Sequence, residues 1–153
     1  MTISNRIKLG MWLRKHETSL SVAQSLNKLV YTTTGSIHVL PDFLIIGAAR
    51  SGTTSLYQYL TEHPSIIPGV GKEIYFFDKK FKKGINWYKS FFPTKFSMSI
   101  TKNRQKTKCI TGEATPRYLH YPHAPKRIFQ LLPKIKLIVL LRNPIDRAYS
   151  HYQ

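Results

Sequence analysis

Eight consecutive residues, Gly47-Ala48-Ala49-Arg50-Ser51-Gly52-Thr53-Thr54, combine two glycines, one cation and three hydroxyls. Glycines let a backbone come close to a ligand, and a loop that opens a helix turns several N–H groups and the positive end of the helix dipole toward it. Phosphate or sulfate is the ligand such a loop suits. A different chemistry stands in Lys72-Glu73-Ile74-Tyr75-Phe76-Phe77-Asp78, where a carboxylate sits beside a lysine and just ahead of three aromatics. Aromatic walls strip hydration from a carboxylate while a neighbouring cation favours its charge, and these opposed influences suit a tuned general base. A surface ion pair between Glu73 and Lys72 is the alternative. Farther on, Arg142 leaves an apolar run and Ser150 follows eight residues later. Helix geometry from Pro144 onward could return that hydroxyl to the side where a planar guanidinium can donate two hydrogen bonds to a phosphate.

The elements that must position these groups are legible around them. Phe43-Leu44-Ile45-Ile46 is an unbroken apolar run ending at Gly47, which reads as a strand buried on both faces. Beyond the loop, Leu56, Tyr59, Leu60 and His63 recur at helical spacing, so the loop lies between a strand and a helix N-terminus. Residues 63–71 are broken by Pro64, Pro68, Gly69 and Gly71 and are irregular, and residues 94–107, polar and weakly periodic, read as a loop. Trp87, in the aromatic-rich stretch between them, reads as core or cleft wall. Cys109-Ile110 begins a short strand that ends near Gly112-Glu113. Glu113 is there a second carboxylate candidate, either orienting Arg50 or Lys72, binding an acceptor, or making a structural hydrogen bond. A helix carrying Ile128, Leu131 and Leu132 follows and stops at Pro133. Residues 136–141 form the second strand expected to be buried on both faces, and Arg147 is expected to face outward or brace the helix after it. Two such strands separated by helices predict a parallel sheet covered on both sides, with ligands gathered at the carboxyl ends of its strands.

Lysine and arginine number 24 against 7 aspartates and glutamates, a formal charge of +17 spread along the chain. A polyanionic partner follows, and charge alone leaves a nucleotide, a sulfated or phosphorylated acceptor, nucleic acid and an anionic membrane open. The single cysteine, Cys109, excludes an internal disulfide and a cysteine-based zinc cluster, and reads as a buried thiol. His123 has no partner at metal-ligand spacing, so no metal is expected. No run reaches the ~18 apolar residues of a membrane span and no signal peptide is legible, which gives the expectation of a cytoplasmic protein. The 153 residues divide into a leader over residues 1–38, with an amphipathic stripe at Leu20, Val22, Ala23, Leu26, Leu29 and Val30, and a domain over residues 39–153. The last residues read as a helix without a capping glycine, so the domain is expected to be incomplete at that end.

A nucleotide hydrolase's Walker A loop places Lys and then Ser or Thr after its second glycine. Here Thr53 follows Gly52 and the cation comes earlier, at Arg50, which disfavours an ATPase. Lys or Arg followed by Ser-Gly-Thr-Thr after a strand resembles instead the 5′-phosphosulfate loop of sulfotransferases that use 3′-phosphoadenosine 5′-phosphosulfate (PAPS). Three further segments resemble that family in its own order between Leu40 and Ser150: Lys-Glu-x-x-Phe-Phe at Lys72, Gly-Glu-x-Thr-Pro-x-Tyr-Leu at Gly112, and Arg-x-Pro-x-x-Arg-Ala-x-Ser at Arg142. Gly84-Ile85-Asn86-Trp87-Tyr88 also looks like that family.

The resemblance implies an α/β, P-loop-type three-layer fold with a central parallel sheet flanked by helices, incomplete at the C-terminus. It implies transfer of a sulfuryl group from PAPS to an acceptor hydroxyl, a carbohydrate-like acceptor being favoured and an anionic glycan one candidate. No metal and no nucleic acid are implied. Arg50, Ser51, Gly52, Thr53 and Thr54 would hold the 5′-phosphosulfate, Arg142 and Ser150 the 3′-phosphate, Glu73 would take the acceptor proton and Lys72 would steady the sulfonate oxygens. Members reading Lys-Glu-Pro-His-Phe-Phe have histidine where this chain has Tyr75, so no histidine role carries over. Two other readings compete: a P-loop kinase or NTPase using ATP and Mg²⁺, and a noncatalytic basic fragment that binds polyanions.

Overall fold

The computed structural model describes residues 34–152, so the amphipathic stripe of the leader lies outside the described residues. Three strands form one parallel sheet in the order β2, β1, β3: β1 (Phe43–Gly47) at the centre, β2 (Gly112–Ala114) on one side and β3 (Lys136–Val139) on the other. Phe43 stands opposite both Gly112 and Lys136, and the register with β3 shifts between Ile45 and Gly47. The helices are α1 (Thr53–Glu62), α2 (Ile85–Lys89), α3 (Lys95–Gln105), α4 (Ala124–Leu131) and α5 (Pro144–Tyr152).

Alternation along β1 builds the layers. Leu44 enters a cluster with Ile74, Phe76, Phe77, Tyr88, Tyr118 and Ile128, whereas Phe43 and Ile45 face Tyr57 of α1 and Ala114 of β2. Burying each such side chain contributes about 1.5–3 kcal/mol, so a strand with all three fully covered is the natural centre. Rings dominate the first cluster. Phe76 stacks on Tyr88 at 4.4 Å between centroids, and Phe77 meets Tyr118 edge-on at 5.4 Å. Trp87 is half-buried at the margin of this cluster, edge-on to Phe91. Cys109 is a buried free thiol, as its surroundings in sequence suggested.

Three expectations change. β3 is not covered on both faces: Lys136, Leu137 and Val139 are exposed and only Ile138 is half-buried. Its apolar composition reads as burial, but it pairs with β1 alone among the described strands. Residues 95–105 are the helix α3, not a loop; Thr94 caps it by accepting a hydrogen bond from Ser97 N at 3.1 Å. No residue of α3 is buried, which is why it carries no apolar periodicity to read. The second strand begins at Gly112; Ile110 makes only an isolated bridge to Ile66. Among the described residues no helix is long and apolar enough to cross a membrane.

Candidate active site

The site forms where β1 ends. Gly47 is required there by close approach: an added Cβ would lie 2.7 Å from Leu119 Cβ and 3.1 Å from the Pro116 carbonyl. The loop then turns back with Ser51 N donating to Ala48 O at 3.3 Å. It delivers Gly52, at φ 87°, as the N-cap of α1 without any side-chain cap hydrogen bond. The first N–H groups of a helix have no partner within it, so the opening of α1 presents donors that a bound anion can satisfy. Ser51 Oγ is likewise buried without a partner. Thr53 is buried, and Thr54 accepts a hydrogen bond from Lys72 Nζ at 2.5 Å. Arg142, leaving β3, donates through Nη1 to the Arg50 carbonyl at 3.3 Å, so the two arginines belong to one edge of the sheet.

The segment 72–78 crosses this edge beside β2. Glu73 N donates to Ala114 O at 3.0 Å, and the Tyr75 hydroxyl donates to Glu73 Oε2. That bond, burial, and the charges of Glu73 and Asp78 push the Tyr75 phenol up to about 12, with Arg117 opposing. Arg117 Nε lies 2.9 Å from Asp78 Oδ2 in an ion pair, although neither carboxylate oxygen of the buried Asp78 receives an aligned hydrogen bond. Arg127 of α4 holds the end of the segment by donating to the carbonyls of Phe77 and Asp78 at 2.7 and 2.9 Å.

Loop and segment enclose a cavity of about 840 Å³. Its walls include Ala48, Arg50, Gly52, Thr53, Thr54, Glu73, Tyr75, Lys79, Arg117 and His120, with Arg147 and His151 from α5. Lysine and arginine there number four, Arg50, Lys79, Arg117 and Arg147, against the single carboxylate Glu73, so an anion is the natural guest. Backbone geometry points to the same place. Four non-glycine residues among those described have positive φ, and three of them, Arg50 (61°), Glu73 (55°) and Tyr75 (58°), line this cavity; the fourth, Lys106, caps α3. A left-handed residue costs about 1–2 kcal/mol and persists where its surroundings over-determine it, which concentrates such residues at functional sites.

Most of the residues singled out in sequence meet here. Arg50, Gly52, Thr53, Thr54 and Glu73 line the cavity, Ser51 and Lys72 lie beside it in the same loop and segment, and Arg142 braces the loop. Ser150 is not part of the lining; α5 offers Arg147 and His151 instead, both largely exposed. Of the roles open to Glu113, the structure shows the structural hydrogen bond. Glu113 is fully buried, and its Oε1 accepts hydrogen bonds from the hydroxyls of Tyr88 (2.7 Å) and Tyr118 (3.1 Å), its Oε2 one from Thr115 (3.1 Å). It therefore touches neither Arg50 nor Lys72. Burial pushes its carboxyl up to about 7, the three hydroxyl donors pull it down, and the charge of Asp78 adds to the rise. Sequence reasoning assigns no site role to Tyr75, Arg117 or His120. Nothing in local sequence reveals that a left-handed turn would aim Tyr75 at Glu73, or that Arg117 would emerge beside Asp78.

Residues 40–153 match the family described as Sulfotransferase domain. The chain belongs to that family. Over 120 residues this sulfotransferase-family chain is 43% identical to the mouse bifunctional heparan sulfate N-deacetylase/N-sulfotransferase 4, which covers 74% of the chain and 13% of the relative. It is 40% identical to the membrane-associated sulfotransferase kil1 of Dictyostelium discoideum, over 77% of the chain and 24% of the relative. To the human heparan sulfate glucosamine 3-O-sulfotransferase 6 it is 38% identical, over 73% of the chain and 30% of the relative. The crystal structure of a sulfotransferase from Alicyclobacillus acidocaldarius superposes with a TM-score of 0.54 at 33% identity, over 74% of this chain and 49% of that one. The chain thus spans a third or less of these curated relatives and about half of the solved structure.

Proposed function

We propose that this domain transfers a sulfuryl group from PAPS to an acceptor hydroxyl, with Glu73 as the general base. The observation that carries the reading is that the anion loop and Glu73 open into one cavity whose other ionic groups are cationic. Ser51 Oγ, buried and unpartnered, and the uncapped start of α1 are the donors a phosphosulfate would satisfy. Backbone amides of residues 50–54, Arg50 and the hydroxyls of Thr53 and Thr54 hold the 5′-phosphosulfate and offset charge on the leaving phosphate oxygen as the S–O bond breaks. Lys72, already on Thr54, steadies the sulfonate oxygens. Glu73 takes the proton of the acceptor hydroxyl as its oxygen bonds to sulfur, leaving a sulfate ester and 3′-phosphoadenosine 5′-phosphate. Arg142, beside the loop, and Ser150 clamp the 3′-phosphate. Positioning and electrostatics supply the rate, as in phosphoryl transfer.

A carbohydrate acceptor is favoured because two of the relatives are named for heparan sulfate. Calorimetry tests the nucleotide: 3′-phosphoadenosine 5′-phosphate binds more tightly than ATP with Mg²⁺, and the reverse order would mean a kinase or NTPase. Transfer from PAPS to a panel of glycans, including one with free amines, tests the chemistry. Steeply salt-dependent binding to polyanions, with no thermal shift from the nucleotide, would mean a noncatalytic basic module.

A further inference from the structure

Glu73 is half-buried in the cavity wall, and something must fix which of its two oxygens meets an acceptor. Its own segment supplies that partner two residues on. Glu73 and Tyr75 both take left-handed backbone conformations, and Ile74 between them is buried in the core. The strained turn is anchored throughout: Glu73 N to Ala114 O, Lys79 N and Lys80 N to Tyr75 O, and Phe76 N and Phe77 N to the hydroxyl of Tyr118. Tyr118 is itself tied to the buried Glu113. The outcome is that side chains 73 and 75 line the same cavity and the Tyr75 hydroxyl donates to Glu73 Oε2.

We propose that Tyr75 is a positioning residue for the base: its hydroxyl pins Glu73 Oε2 and leaves Oε1 as the oxygen that receives the acceptor proton. This rests on Glu73 being the base, as proposed above. The charged groups around the phenol are Glu73, Asp78 and Arg117, with Lys79 and Lys80 ammonium groups 5.2 and 5.8 Å from its ring centre. Its pKa, pushed up to about 12, keeps the hydroxyl protonated at neutral pH, so Tyr75 acts as a donor and not as a second base.

Two measurements on the full chain test this. Fluorotyrosine at position 75 brings the phenol titration into a range where the fold persists, and Glu73→Gln then lowers that titration by about one unit, a tenfold change, because the paired charge is gone. An unmoved titration overturns the proposal whatever the enzyme does. In sulfuryl transfer, Tyr75→Phe keeps the ring but loses the donor, and kcat falls about tenfold with KM for PAPS and the melting temperature unchanged. Tyr75→His, which changes the shape more but can still donate, retains more activity than Phe. If Phe equals wild type, or exceeds His, the ring serves as a wall only and the proposal is overturned. If the titration responds to Glu73→Gln while the wild-type chain binds nucleotide yet transfers nothing to any acceptor, the base reading itself is what fails, and the hydrogen-bonded pair stands without it.

Discussion

Glu73 and Glu113 are held next to each other by the bond from Glu73 N to Ala114 O, yet one faces a cavity and the other is sealed in rings. Burial gives Glu113 a pH signature. Its folded pKa of about 7 stands above the 4.5 of an unperturbed carboxyl, so between those values the folded state binds more protons than the unfolded one. The stabilising contribution is full below about 4.5 and is lost as pH rises toward about 7. Urea denaturation is expected to show stability falling across that window by on the order of 3 kcal/mol more in wild type than in Glu113→Gln. A different expectation attaches to Arg142. Guanidinium bonds to phosphate contribute about 1.5–3 kcal/mol, so Arg142→Ala should weaken binding of 3′-phosphoadenosine 5′-phosphate by roughly tenfold to a hundredfold in calorimetry. Lysine at 142 should not restore it, because a point charge cannot reproduce the planar fork. Both carboxylates were legible as candidates from their motifs. Their division of labour was not, since it depends on Tyr88 arriving from an earlier helix and on the turn that folds Tyr118 back onto Glu113.

Among the elements, β1 with its loop and α1 was plain from sequence because apolar run, glycines and helical spacing agree in one short stretch. α3 was missed for the opposite reason: it buries nothing, and only the Thr94 cap signals its start. Thr94→Ala should therefore cost about 1 kcal/mol in denaturation and leave nucleotide affinity unchanged. Gly52→Ala should lower nucleotide affinity as well. Its added Cβ meets nothing within 4 Å, so the cost comes from φ 87° alone, about 1 kcal/mol. That cost falls on the turn that presents the amides, and affinity for the nucleotide drops with little steric disturbance of the core.

For the whole molecule, two surfaces stand out. The charge of +17 predicts polyanion binding that weakens steeply with salt. The other is apolar: Leu137 and Val139 share one face of β3, and Leu141 and Ile145 beyond it are 82% and 78% exposed. Apolar surface left open in this way drives association. Sedimentation should show concentration-dependent self-association of the chain, and the pair Leu141→Gln with Ile145→Gln should reduce it. By itself the sequence determined the parallel α/β class and the glycine loop between strand and helix, because apolar runs, glycines and helical spacing act locally, and it carried the family resemblance in four contiguous motifs. Tertiary structure alone decided which carboxylate is buried, which strand face stays open, and that Tyr75 meets Glu73. Those outcomes depend on segments distant in sequence closing around one another, and on backbone angles that no pattern of residue types prescribes.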